Sequence, residues 1–343
     1  MKNGIFTVSL DFELYWGVLD SKPLERYKDN LLGVRYAIIR LLDIFRRYDI
    51  HATWAAVGFI FFKNMEELKD NIPENIPEYT NAFYSSYKKF DWLESVDKRV
   101  LFAPDLIKLI ANSSHQEIAS HTFSHYYCLE EGQNADHFYH DLLFSKKIAK
   151  KFGLELKSII FPRDQYNKRY LEILKDEGIL SYRGNPVHAI YAPTGQKNKQ
   201  NRLRKALLLI DSYINITGYH VYEIDIQKEP VNIPSSRFLR PVSKKLFFLE
   251  KLRLKRIKKQ MEYAAKEKKL FHLWWHPHNF GVNTDENISF LEEILLYFKE
   301  LQKRYGMLSL NMNESREFAK NSVLDKRKYF EKNKWILGLS SKG

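Results

Sequence analysis

The stretch Ile5–Gly17, IFTVSLDFELYWG, sets the reading of the whole chain. An apolar run reaches two carboxylates one residue apart, Asp11 and Glu13, and then two aromatics, Tyr15 and Trp16. On a β-strand successive side chains alternate faces, so residues two apart point the same way. Asp11 and Glu13 therefore share one face at the carboxyl end of a strand. Two like charges that close resist joint ionisation, and a neighbouring metal or arginine resolves the conflict. The plain alternative is a solvated turn after an edge strand, and the rest of the chain decides between them by supplying a cation or failing to.

Outward from this strand, strand and helix patterns alternate. Apolar residues Ala37, Ile38, Leu41, Leu42 and Phe45 recur at helical spacing within 31–48, and 52–59 reads as a buried strand. A short helix at 106–111 leads to a strand at 117–120, a helix at 135–152, a strand at 158–162, a helix at 167–177 and a strand at 179–184. The pattern resumes with a helix from about Arg202, a strand near 220–224, a basic helix over 244–269, a strand through FHLWWHPH, a helix at 285–304 and a strand at 308–312. Two stretches, 71–103 and 185–200, lack period and read as inserted loops. Residues 1–322 form one domain on this reading, and 323–343 a peripheral tail. Strand–helix alternation without a linker argues a parallel α/β architecture. If such a sheet closes into a barrel, function sits at the carboxyl ends of its strands.

With 343 residues, 44% hydrophobic and 15% aromatic, the chain has ample material for a core. A lone cysteine, Cys128, excludes an intramolecular disulfide framework and reads as a buried residue rather than a nucleophile. No stretch reaches about 18 consecutive apolar residues, and the N-terminus lacks the apolar core and cleavage site of a signal peptide. These features predict a cytoplasmic protein. The net charge of +13 is concentrated, with eleven Lys or Arg against three Glu in 244–269. That segment is either the lysine-rich outer face of a barrel helix or a surface for anionic lipid at the inner face of the membrane. No nucleic-acid-binding motif accompanies the charge, so nucleic acid is not an expected partner.

Three later motifs supply candidates for the missing cation. SHTFSHYY places His121 and His125 four apart after a strand, and imidazoles with a carboxylate are a usual zinc set. In FHLWWHPH, His272, Trp274 and His276 share a face, and Pro277 ends the ladder with His276 near the rim. His272, deeper in the strand, reads as structural, and His278 as a loop residue. In SIIFPRDQYN, Arg163 directly follows a strand, either to pair with a carboxylate or to lie at the surface. Trp16, Tyr126 and Trp274, near strand ends, either stack on a sugar ring or complete the core.

These motifs together resemble the polysaccharide deacetylase, or NodB-homology, family of carbohydrate esterases, over about residues 6–311. The resemblance implies a distorted, incompletely closed (β/α) barrel with fewer closed strands than the eight-stranded form. It also implies roles: Asp11 as catalytic base, Glu13, His121 and His125 as ligands of a divalent metal, zinc first among them, and His276 as catalytic acid. Arg163 would orient or neutralise Asp11, and Trp16, Tyr126 and Trp274 would contact substrate. The sequence departs from the family pattern in three places. Asp11-Phe12-Glu13 replaces the commonest pair of adjacent aspartates, FPRDQYN replaces Arg-x-Pro-Tyr, and the Asp-and-Trp motif has no clear counterpart. The implied activity is removal of an N-acetyl group from an amino sugar of a glycan or of its lipid-linked or nucleotide-linked precursor. The alternatives are a catalytically impaired glycan-binding or scaffold protein at the membrane, and a metal-dependent deformylase or amidase of another small substrate.

Overall fold

Strand β1 (Ile5–Phe12) is buried at all eight positions because both of its faces are covered. Phe6, Val8, Leu10 and Phe12 pack under the helices, whereas Ile5, Thr7, Ser9 and Asp11 face the interior of a curled sheet. The computed structural model describes residues 1–195 and 201–336. Around β1 lie β2 (Ala52–Ala56), β3 (Gln116–Ser120), β4 (Ser158–Ile160), β5 (Ser181–Arg183), β6 (Val231–Asn232), β7 (Arg237–Phe238), β8 (Leu270–Trp275) and β9 (Leu308–Ser309). The order is β6-β5-β4-β3-β2-β1-β8-β7, with β9 paired to β1, and every ladder is parallel.

The two edge strands, β6 and β7, are separated in sequence by only four residues, 233–236. That tetrapeptide spans the gap: Ser235 N donates to Gly184 O at 2.9 Å and Ser236 N to His272 O at 2.8 Å. The barrel is thus closed by one connecting segment rather than a ladder, which is the distorted, incompletely closed (β/α) barrel that the resemblance implies.

The helices form the outer layer: α1 (Leu24–Leu32), α2 (Val34–Tyr48), α3 (Pro104–Ala111), α4 (Ala135–Lys151), α5 (Leu171–Asp176), α6 (Arg202–Tyr213), α7 (Glu250–Lys266), α8 (Thr284–Tyr305) and α9 (Met312–Ile336). Their ends follow local chemistry. Pro104 starts α3, the Asn134 side chain accepts from His137 N to cap α4, and Gly306 at φ 66° stops α8. The first turn of α9 plugs the interior, with Ser315 Oγ bonded to Thr7 Oγ1 at 2.9 Å and Met312 packed among Ile5, Ala55 and Ala119. Among the described residues no helix is long and apolar enough to cross a membrane.

Several elements differ from the sequence reading. The helix read over 31–48 breaks at Gly33, where a β-carbon would sit 1.8 Å from Gly281 O, so two backbones meet. Residues 220–224 make only an isolated antiparallel bridge, Tyr222 to Leu270, and the real edge strands are the two-residue β6 and β7, too short to carry a period. In the basic segment, Ile257, Met261, Ala264 and Ala265 are buried as their spacing predicts, but 244–249 forms a separate turn that exposes Phe247. Arg253 and Arg256 also turn inward, to Glu250 and Asp211, so the segment is not basic on its outer face alone. The boundary read at residue 322 falls inside α9. Positions 196–200 of the second insertion and 337–343 of the tail lie outside the described residues.

Candidate metal centre

The register of β1 carries Asp11 to the rim opposite Ala55, and Glu13 follows just beyond the strand. Glu13 Oε1 lies 3.0 Å from His121 Nε2, 3.3 Å from His125 Nε2 and 3.5 Å from His276 Nε2. Glu13, His121 and His125 are all buried, with one ligand atom of each within 4.8 Å of the others. His121 Nδ1 is 2.8 Å from Ile160 O. A carbonyl only accepts, so Nδ1 carries the proton and the Nε2 lone pair faces the Glu13 carboxylate. Two acceptors at 3.0 Å hold together only with a proton or cation between them, and the donor set fits a divalent ion of the zinc type.

The segment after β3 is bent to bring both histidines in. Thr122 (φ 62°) and His125 (φ 61°) sit in the left-handed region, a strain that surrounding bonds must offset. Asp141 of α4 accepts from Phe123 N at 2.6 Å and Ser124 N at 3.1 Å, and Thr122 Oγ1 accepts from Tyr126 N at 2.7 Å. Burial pushes the Asp141 carboxyl up to about 6 despite these bonds. Asp141 was not among the residues singled out in the sequence, although an aspartate on the helical stripe of Phe138, Leu142, Ile148 and Ala149 is the available signal. Room for Glu13 comes from Gly17, where a β-carbon would fall 1.8 Å from Glu13 Oε2.

Asp11 meets a different arginine from the one expected. Arg183 holds it in a bidentate pair, at 2.6 Å to Oδ1 and 2.7 Å to Oδ2, and also reaches Ser9 Oγ at 3.1 Å. Arg163 instead donates to Asp20 and to Gly17 O. The reason is register. Arg183 occupies an inward position of β5, two after Ser181, whereas Arg163 lies past β4 in a turn with φ 57° and reaches Asp20 and the Gly17 carbonyl on the wall of the cavity that Asp11 also lines. The strand at 179–184 was legible, and its terminal arginine was the signal passed over.

His276 Nε2 also lies 3.8 Å from Asp11 Oδ2. Burial opposes its charge, but Glu13 and Asp11 outweigh that and raise its pKa above the ordinary histidine value. Burial likewise pushes Glu13 up, yet His276, His121 and His125 hold it well below the usual carboxylate range. His272 is buried with Nε2 2.8 Å from Ser9 Oγ and Nδ1 3.1 Å from Ile233 O, a structural position. His278 is buried rather than a free loop residue, stacked on His276 with ring centroids 4.9 Å apart.

Asp11, Glu13 and His276 face a cavity of about 390 Å³ whose walls include Trp274, Tyr27 and Phe238. Trp274 lies under the Arg183 guanidinium at 4.0 Å from its ring centroid. Trp16 and Tyr126 do not reach this cavity. The turn after β1 sends Trp16 beneath the 71–103 insertion, where Nε1 donates to Leu101 O and the ring meets Phe59 edge-on. Tyr126 is fully buried, its hydroxyl donating to Gln133 Oε1 and Asn134 O. Both belong to the core. Cys128 is buried too, and burial raises its thiol well above the usual value.

A second grouping, Asp49, His51 and His115, lies at the other end of the strands. Its imidazoles stack at 3.9 Å and 6°, so their lone pairs occupy separate parallel planes that no single ion shares. His51 Nδ1 lies 2.6 Å from Glu314 Oε2 instead.

Residues 33–181 match the family model described as polysaccharide deacetylase. No curated protein matches the chain. Among solved structures, a candidate polysaccharide deacetylase from Mycobacterium smegmatis is 14% identical, with a TM-score of 0.56 over 93% of this chain and 92% of that one. A candidate polysaccharide deacetylase from Pseudomonas aeruginosa PAO1 is 12% identical, with a TM-score of 0.54 over 92% and 91%. Puue allantoinase is 11% identical, with a TM-score of 0.54 over 92% and 90%. At these identities the likeness is one of fold.

Proposed function

With residues 33–181 assigned to the polysaccharide deacetylase family, we propose that the chain is a carbohydrate deacetylase that hydrolyses the N-acetyl group of an amino sugar. The observation that carries this reading is the convergence of Glu13, His121 and His125 beside the Asp11–Arg183 pair and His276. Glu13, His121 and His125 would hold the divalent cation. When bound, such an ion supplies Lewis acidity, enough to bring the pKa of water down towards about 7 and to polarise an amide carbonyl.

Asp11 accepts the proton of the attacking water, and Arg183 fixes the carboxylate in place for it. His276 then gives a proton to the departing nitrogen, since an amine anion is an unusable leaving group. Trp274 and Phe238, with ring centroids 5.6 and 5.8 Å from the His276 ring, hold the imidazole at the rim. A C–O bond forms as the C–N bond breaks, and the products are acetate and a free amino sugar.

The test is metal content by mass spectrometry together with acetate release from N-acetylated sugars, for the wild type and His121→Ala. Near one divalent ion per chain and acetate release, both lost in the variant, support the reading. Metal without acetate release favours a scaffold or a deformylase-type substrate, and absence of metal rejects the site.

A peripheral contact with anionic membrane is a further part of this reading. The turn Lys244–Leu249 exposes Phe247 and Phe248 at 71% and 74%, beside Lys244 and Lys245. Adjacent aromatics flanked by cations suit the interface of an anionic bilayer.

A further inference from the structure

The cavity wall that reaches Asp11 and Glu13 also contains Arg204 of α6 and Arg240, two residues past β7. Arg240 is half-buried, and among the described residues its guanidinium has no hydrogen-bond or ion-pair partner. Nearby acids are already committed: Asp211 holds Arg237 at 2.7 Å and Arg256 at 2.8 Å, and Glu250 pairs with Arg253. Arg204 donates only to carbonyls, to Ile190 O at 2.9 Å and Ala192 O at 2.8 Å, and the acid that acts on it, Asp164, is itself paired with Arg183. The carboxylates of the wall, Asp11, Glu13 and Asp164, are engaged with Arg183 or the histidines.

A partly desolvated cation without a counter-charge is costly, and an incoming anion relieves the cost. A guanidinium fork matches the oxygens of a phosphate, and two arginines with exposed Lys22 on one cavity suit a group of more than one negative charge. Val18, Ile190, Leu208 and Phe238 give the same cavity apolar walls for whatever the phosphate carries. We propose that this cavity binds the phosphoryl group of a sugar phosphate ester, with Arg240 and Arg204 as the anion-binding pair. The identity of the sugar rests on the deacetylase reading; the anion subsite does not.

The test is isothermal titration of the protein as purified with N-acetylglucosamine 1-phosphate and with neutral N-acetylglucosamine. The wild type is expected to bind the phosphate ester at least about tenfold more tightly, as a charge-assisted bond implies. Arg240→Gln should abolish that preference and Arg204→Gln reduce it, with thermal unfolding unchanged to show that both variants fold. Equal binding of the two sugars by the wild type overturns the proposal, as does a preference that survives in both variants, which would place the phosphate on the metal. Competition separates the sources: displacement by farnesyl phosphate assigns a lipid carrier, displacement by uridine diphosphate a nucleotide, and displacement by neither rejects a phosphoryl subsite. Acetate release does not enter this readout, so the subsite and the deacetylase reading stand or fall separately.

Discussion

Asp11 and its arginine show how much depends on one side chain's direction. Arg183 and Asp11 form a fully buried bidentate pair, so removing one partner leaves an uncompensated charge. Arg183→Gln is expected to cost about 3–5 kcal/mol of stability. It should also lower kcat, because the carboxylate that accepts the proton is no longer held. Arg163→Gln leaves that pair intact and should retain at least about tenfold more activity than Arg183→Gln. Urea denaturation and initial rates on the two variants decide the matter, and the reverse order of activities would return the positioning role to Arg163. Asp11→Asn is expected to keep the metal while losing about 10²–10⁴ in rate, checked by mass spectrometry alongside the assay.

The elements that matter most to the site are β1 and the bent segment after β3. β1 places its acids by simple alternation, but the histidine segment relies on Asp141 reaching across from α4. Burial raises Asp141 to about 6, whereas an unfolded aspartate titrates near 3.9. The folded chain therefore keeps a proton between those values that the unfolded chain has released. The stability gained from it is complete below about pH 3.9 and is lost as pH rises through about 6, up to about 3 kcal/mol. Asp141→Asn, which cannot titrate, should lack this loss. Denaturation midpoints of wild type and variant, measured from pH 4 to 7, are expected to shift relative to one another in that direction. Parallel curves would mean that the donors Phe123 N, Ser124 N and Ser124 Oγ hold Asp141 ionised in both states.

At the scale of the molecule, the barrel is built asymmetrically. One side is a continuous parallel ladder around β1, and the other is the bridging segment 233–236 with an arginine-rich lining at α6 and the strip after β7. The exposed Phe247–Phe248 turn follows closely on that strip. Co-sedimentation with vesicles containing anionic phospholipid at low salt should retain the wild type, and Phe247→Ala with Phe248→Ala should reduce retention at least about tenfold. Equal retention of wild type and variant would assign any binding to general charge, and no retention would remove the membrane from the reading.

Period and spacing were enough to recover a parallel strand–helix architecture and to put Asp11, Glu13, His121, His125 and His276 at strand ends, while the barrel came from the family resemblance. The reason is local: alternation assigns a face, and a motif at a strand's end assigns an end. Arg183, Asp141 and the seats of Trp16 and Tyr126 were beyond that reach. Which arginine meets Asp11 is decided by inward register on a strand four positions away in the sheet, and which aromatics reach the cavity by how the 71–103 insertion packs. The unpaired state of Arg240 likewise depends on Asp211 and Glu250 having been claimed by other arginines. Each of these is a contact between distant segments, formed only when the chain is closed on itself.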